Sequence, residues 1–256
     1  MSKECRRAVV LAAGAGTRVR KIADQSPKCL MDLEGKPIIE WILTSLKLAG
    51  ITSVTMVTGF KAGMIKDALG GGRRYGLNIS YVKNTEWRKP NGLSLYSARR
   101  AVRGEPSFLT VMSDHLLPPA AIERVRQSKS PGCILAIDTN LENVYDLQDA
   151  TKVRLAGGRP DAIGKKLWKY NAVDCGLFRF DDRIFAALDY AFKRRTYSLS
   201  AGVKKLIKDG NLDVVPIGRG AFWIDIDTPR NYRYAKKNVK KLMKAIAGKN
   251  AERMRK

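Results

Sequence analysis

The strongest constraint on this chain lies between residues 8 and 28. Ala8 to Ala12 reads Ala-Val-Val-Leu-Ala, an apolar run that is β-branched in the middle and closely followed by glycine. A run of that length without polar alternation is the pattern of a buried parallel strand. The composition then changes abruptly. Ala13, Gly14, Ala15 and Gly16 are all small, Thr17-Arg18 follows, and Ser26-Pro27-Lys28 comes a little further on. A loop of small residues folds tightly and lets its backbone N–H groups approach an anion, because no bulky side chain intervenes. Arg18 and Lys28 place two cations nearby. The stretch describes a phosphate-gripping edge at the carboxyl end of a strand, where open α/β sheets bind their ligands.

Two familiar glycine motifs are absent. No Gly-x-x-x-x-Gly-Lys-Ser/Thr run occurs, and Val19 stands where a dinucleotide fingerprint needs its third glycine. The longer pattern, Leu11-Ala12-Ala13-Gly14-Ala15-Gly16-Thr17-Arg18 with a downstream Pro27-Lys28, resembles the signature of the sugar-phosphate nucleotidyltransferases. Gly35-Lys36-Pro37-x-Ile39-x-Trp41 and Gly50-Ile51 continue that resemblance. It implies a Rossmann-like α/β fold, with a predominantly parallel central sheet flanked by helices. It also implies that Leu11 to Thr17 hold the nucleotide, that Arg18 stabilises departing pyrophosphate and that Lys28 contacts the α-phosphate.

The order of elements agrees. Pro37 suits the first helical position, and apolar residues then recur at helical spacing until Gly50. Ser53 to Thr58 reads as a strand, Ala62 to Leu69 as a short helix and Ile79 to Val82 as a third strand. Strand, helix, strand, helix, strand implies right-handed crossovers and a parallel sheet. A polar loop from Asn84 runs into a helix near Gly92, with Asn91 or Ser94 available as its cap. A helix start there offers N–H donors to a base carbonyl or a phosphate. The form Asn91-Gly92-x-Ser94 is similar to the cytidylyltransferases for inositol-1-phosphate, and the resemblance implies contact with the nucleobase.

Ser107 to Met112 reads as another buried strand, ending in Ser113-Asp114-His115. A carboxylate at a strand tip is badly placed for solvation and well placed for a ligand. The resemblance makes Asp114 a magnesium ligand; His115, the only histidine, is read as a neighbour of the site. A helix to about Gln127 and a strand over Cys133 to Asp138 follow. Periodicity is weak from about 140 to 170, where a β-rich insertion covering the acceptor is expected. The resemblance places an acceptor-phosphate lysine at Lys165, with Lys166 beside it. Ala172 to Phe178 reads as a strand, Asp181 to Arg194 and Ser198 to Asp209 as helices, and Leu212 to Ile217 as an edge strand. In Trp223-Ile224-Asp225-Ile226-Asp227-Thr228-Pro229, alternation puts both aspartates on one face, about 7 Å apart. Two carboxylates on one face repel unless a cation separates them. The resemblance makes Asp225 the second magnesium ligand; Asp227 assists it or caps the next helix.

The chain carries 48 Lys and Arg against 24 Asp and Glu, a net charge of +24, which suits polyanionic partners. Residues 236–256 hold seven Lys and two Arg against one Glu. Val239, Leu242, Met243 and Ile246 form an apolar stripe there, opposite lysines, a face suited to packing or to weak contact with an anionic membrane. The four cysteines are scattered without a Cys-x-x-Cys pair, which argues against zinc and disulfides. With no apolar leader at the N-terminus, the expected location is cytoplasmic. A single domain is expected over 1–247, with a basic, unstructured tail at 248–256. The resulting reading is a Mg²⁺-dependent nucleotidyltransferase. It joins an NTP, with CTP favoured, to a phosphorylated polyol or sugar, with inositol-1-phosphate favoured, and releases pyrophosphate. No nucleic-acid partner is expected, and a homodimer is left open. Two other classes remain: a glycosyltransferase using Asp225-x-Asp227 as its metal motif, and a non-catalytic protein that binds polyanions or membrane surfaces.

Overall fold

The computed structural model describes residues 4–19 and 26–254, with side chains to Gly248. The first strand, β1 (Arg7–Ala12), is followed by a two-residue ladder, β2 (Asp32–Leu33) with β3 (Lys36–Pro37). The first helix, α1, begins one residue later than expected and spans Ile38–Leu48, because Pro37 is drawn into that ladder opposite Asp32. Trp41 fastens the ladder to the helix, its indole N–H donating to the Leu33 carbonyl at 2.9 Å.

Next come β4 (Ser53–Thr58), α2 (Ala62–Leu69), β5 (Asn78–Lys83), α3 (Gly92–Ser97) and β6 (Phe108–Met112). β1 pairs in parallel with β4 on one side and β6 on the other, and β5 extends the sheet in parallel beyond β4. The short β7 (His115–Leu116), α4 (Pro119–Gln127) and β8 (Cys133–Asp138) follow. The hairpin of β9 (Lys152–Ala156) and β10 (Arg159–Gly164) leads to the long β11 (Ala172–Phe180). The chain ends with α5 (Arg183–Phe192), α6 (Leu199–Lys208), β12 (Leu212–Pro216), the short β13 (Ile224–Asp225) and α7 (Pro229–Met254).

β11 lies antiparallel to β6, β8 and β9, so the parallel half of the sheet gives way to an antiparallel half. The hairpin from the stretch of weak periodicity is therefore the edge of the main sheet. Alternate residues of β1 enter separate cores. Ala8, Val10 and Ala12 meet α1, α4 and α7, whereas Val9 and Leu11 meet α3, α5 and α6. Burial on both faces is why that strand shows no polar alternation. In α7, Ala235, Val239, Leu242 and Ile246 are buried, but Met243 is exposed and lies off the stripe. The helix continues to Met254, through most of the stretch expected to be unstructured, since nothing after Pro229 breaks it and lysine and alanine favour helix. Among the described residues, no helix is long and apolar enough to cross a membrane.

Candidate active site

The glycine loop leaves β1 at the carboxyl edge of the parallel strands. The Phe60 N–H donates to the Ala13 carbonyl at 3.0 Å, tying the loop to the turn that follows β4. Gly16 has φ +58°, and a Cβ on it would stand 2.7 Å from the Lys28 Cβ. Only glycine lets the loop close onto the lysine. Lys28 sits in a single 3₁₀ turn anchored by buried Cys29. Leu11, Ala12, Ala13, Gly14, Gly16, Thr17, Arg18, Lys28, Asn91 and Ser94 line one cavity of about 280 Å³. Ala15 faces away, toward Phe60 and Trp87. Gly92 is packed against the backbone of Tyr197 and Ser198.

Neither Asn91 nor Ser94 caps α3 with its side chain. Asn91 Oδ1 accepts from the Leu199 N–H at 3.0 Å, holding the start of α6, and Ser94 Oγ accepts from Asn84 Nδ2 at 3.0 Å. Each hydroxyl or amide found a distant partner that the local sequence does not reveal.

Asp114 lies just past Ser113 at the end of β6, so its place beside the glycine loop comes from the pairing of β1 with β6. Asp225 comes from the far end of the chain. It is aligned by β13, which pairs antiparallel with β7 and sets Asp225 opposite His115. The Ile226 N–H donates to the Asp114 carbonyl at 3.0 Å and fixes that register. His115 Nδ1 lies 2.8 Å from Asp114 Oδ1 and 3.7 Å from Asp225 Oδ1. Its ring fits because β11 bulges at Gly176, where φ is +70° and a Cβ would stand 2.3 Å from His115 Cδ2. Bulges beside functional groups re-aim side chains in this way.

Asp227 takes a different place from Asp225. It pairs with Arg18 and, at 2.6 Å, with Lys28 Nζ, while Lys28 also pairs with Asp114. The cap of α7 is Thr228, whose Oγ1 accepts from the Asn231 N–H at 3.1 Å. Asp227 therefore faces Lys28 and Arg18, outside the group of ligand atoms that Asp114, His115 and Asp225 bring together.

Burial opposes charge on Lys28, yet Asp114 and Asp227 more than reverse this and hold its ammonium above the ordinary lysine value. Burial likewise opposes the Asp114 carboxylate, which Lys28 and the His115 hydrogen bond keep well below the usual range. Burial would lower His115, but Asp225 and Asp114 raise it to about 9. Asp225 is pushed up to about 7, first by burial. Its Oδ1 is a buried acceptor with no hydrogen-bond partner. An orphaned carboxylate oxygen invites a cation. Asp114, His115 and Asp225 each offer one ligand atom, all within 4.8 Å of one another. The two carboxylates suit a hard divalent ion such as Mg²⁺, and the imidazole is the less usual partner for it.

A second cavity, of about 340 Å³, adjoins the first and shares Asn91, Met112, Asp114 and Asp227 with it. Lys165 and Asp225 line it, with Asp149, Asp174 and Trp223, which sequence reasoning did not single out. Asp149 Oδ1 accepts from Lys165 Nζ at 2.9 Å, and its Oδ2 accepts from Arg18 at 2.8 Å. Burial raises Asp174 to about 6, and its carboxylate accepts the Gly176 N–H at 2.7 Å within the bulge. Trp223 stacks on His115 and donates its indole N–H to Asp138 Oδ2 at 2.8 Å. The signals available for these residues were slight: a lone histidine beside Asp114, and a tryptophan two residues before Asp225.

A glycine loop and buried lysine at the carboxyl edge of a parallel sheet, with a cation-ready carboxylate pair beside them, define a protein that handles nucleotide phosphates. Comparison with known proteins agrees: residues 8–147 match the MobA-like NTP transferase domain, and the chain belongs to that family of nucleotidyltransferases. It is 31% identical over 235 residues to a bifunctional IPC transferase and DIPP synthase of Aquifex aeolicus, covering 91% of this chain and 52% of the relative. A protein of the same description from Thermococcus kodakarensis is 31% identical over 90% of this chain and 50% of its own. The chain thus spans about half the length of these curated relatives. Its fold is that of the inositol-1-phosphate CTP transferase from T. maritima, with a TM-score of 0.82 at 24% identity over 96% of this chain and 98% of the other.

Proposed function

We propose that this protein joins CTP to inositol-1-phosphate with release of pyrophosphate. The observation that carries the reading is the position of Lys28. Its buried ammonium pairs with Asp114 and Asp227, the two carboxylates that line both cavities. A fixed cation thus stands in the first cavity, held by the two carboxylates that this cavity shares with the second. The descriptions of the IPC transferase relatives and of the T. maritima fold neighbour support this substrate pair. The form Asn91-Gly92-x-Ser94 supports it too.

In this mechanism the glycine loop holds the triphosphate, and Asn91 and Ser94 lie toward the base. Lys28 meets the α-phosphate, Arg18 the departing pyrophosphate and Lys165 the phosphate of the acceptor. An acceptor phosphate oxygen attacks the α-phosphorus as the bond to pyrophosphate breaks. The acceptor is already ionised at neutral pH, so no protein base is required; alignment and charge neutralisation supply the rate. Asp114 and Asp225 would hold Mg²⁺, which when bound supplies further positive charge to the phosphates. His115 orients Asp114 through its 2.8 Å contact. The four cysteines are buried and unpaired, in keeping with a reducing cytosol.

The test is pyrophosphate release with Mg²⁺, each of the four NTPs being offered inositol-1-phosphate, glucose-1-phosphate or phosphocholine. Release confined to CTP with inositol-1-phosphate is expected. Release with another pair would keep the mechanism and replace the substrates, and silence from a folded protein would overturn the reading.

A further inference from the structure

The described surface carries three large exposed apolar side chains, Met64, Trp168 and Met243, and Trp168 is set apart by being 84% exposed. It sits in the turn that joins β10 to β11, just past the hydrogen bond from the Leu167 N–H to the Gly164 carbonyl. An indole left in water forgoes one of the largest burial gains any side chain offers, and a small polar residue would serve a turn as well. Its neighbours are Lys165, Lys166 and Lys169, with no acidic residue between Gly164 and Tyr170. Lys165 is held by Asp149. Lys166 and Lys169 have no carboxylate partner among the described residues, and Lys169 Nζ lies 5.7 Å from the indole centroid.

A projecting indole ringed by unpaired lysines matches the headgroup layer of an anionic bilayer. The ring is apolar with one N–H, the environment is half wet, and the ammonium groups meet lipid phosphates. Charge argues against a second copy of the chain: each carries +24, and apposing two such turns would bring four unpaired lysines together. A nucleic acid would want a basic groove with several stacking rings, whereas this is one ring on a turn. We propose that the Gly164–Tyr170 turn docks the protein peripherally on an anionic phospholipid bilayer, with Trp168 as the anchor and Lys166 and Lys169 as its charge contacts. Lys165, three residues before the anchor, lines the second cavity, so docking brings that side of the site toward the membrane. The inference stands whichever substrates the enzyme takes.

The test is flotation of the full chain with phosphatidylcholine vesicles, with and without phosphatidylglycerol, together with quenching of tryptophan emission by brominated lipid. Binding is expected only with phosphatidylglycerol, fading as salt rises, and with strong quenching. The double variant Trp168→Ala/Lys169→Glu should partition at least ~10-fold more weakly. Its melting temperature and its pyrophosphate release in lipid-free buffer should be unchanged. Absence of binding by the parent chain, or binding undiminished in the double variant, overturns the proposal. So does binding lost in Lys240→Glu/Lys244→Glu alone, which would move the contact to α7. A dimer in lipid-free buffer that Trp168→Ala dissociates would give the turn to a second copy instead.

Discussion

The two cavities are built in opposite ways. Nine of the fifteen residues lining the first come from one stretch, β1 with its glycine loop and the turn bearing Lys28; the others are Asn91 and Ser94 at α3, Met112 to Asp114 at the end of β6, and Asp227. The second gathers Asp114, Asp149, Lys165, Asp174 and Asp225, which span more than a hundred positions of sequence. The first needs only the regular parallel pairing of β1 with β4 and β6 to appear at their common edge. The second depends on the antiparallel β11, on its bulge and on the two-residue match of β13 with β7. A site encoded in one segment tolerates change elsewhere, whereas a site assembled from many segments inherits the tolerance of each.

Lys28 lines the first cavity and pairs with Asp114 and Asp227, which line both, so its loss should have the largest effect. Lys28→Ala is expected to lower turnover by ~100-fold or more, as removal of one fixed electrostatic donor does. It also leaves Asp114 and Asp227 without their shared cation, at about 3–5 kcal/mol of stability, which the melting temperature reports. Near-normal turnover would remove the lysine from the chemistry.

The two glycines that admit a functional side chain sharpen the comparison. Gly176→Ala presses a Cβ onto His115 within a buried bulge and should cost about 2 kcal/mol or more, with turnover falling as His115 is displaced. Gly16→Ala meets only the Lys28 Cβ in an open loop. Its stability loss should be smaller, about 1 kcal/mol, and should show chiefly as a raised KM for the nucleotide. Equal losses in denaturant melts of the two variants would deny that the second cavity is the more brittle.

The smallest effect is expected at Asp149. It bridges Arg18 and Lys165, but all three side chains are partly exposed, and such pairs contribute about 0–1 kcal/mol. Asp149→Asn should leave the melting temperature nearly unchanged while shifting KM values a few-fold, since the two cations no longer have a carboxylate to leave before meeting phosphate. A large fall in turnover would show that Asp149 does more than hold them.

The amino-acid sequence determined the parallel half of the fold and the first cavity. Apolar runs, small-residue loops and helical spacing are local signals, and the Lys28 and Asp114 positions follow from them. Asp225 was legible beside Trp223, although its match to His115 was not. Only the tertiary structure decided that Asp227 would serve Lys28 and Arg18, that Asn91 would hold α6 instead of capping α3, and that Asp149 would join Arg18 to Lys165. It also decided that the stretch of weak periodicity would end as a sheet edge with Trp168 outward. The physical reason is common to the first three. A charged or amide side chain takes whichever complementary group the packed chain brings within about 3 Å, and partners from 16 to 209 positions away leave no trace in the spacing of nearby residues.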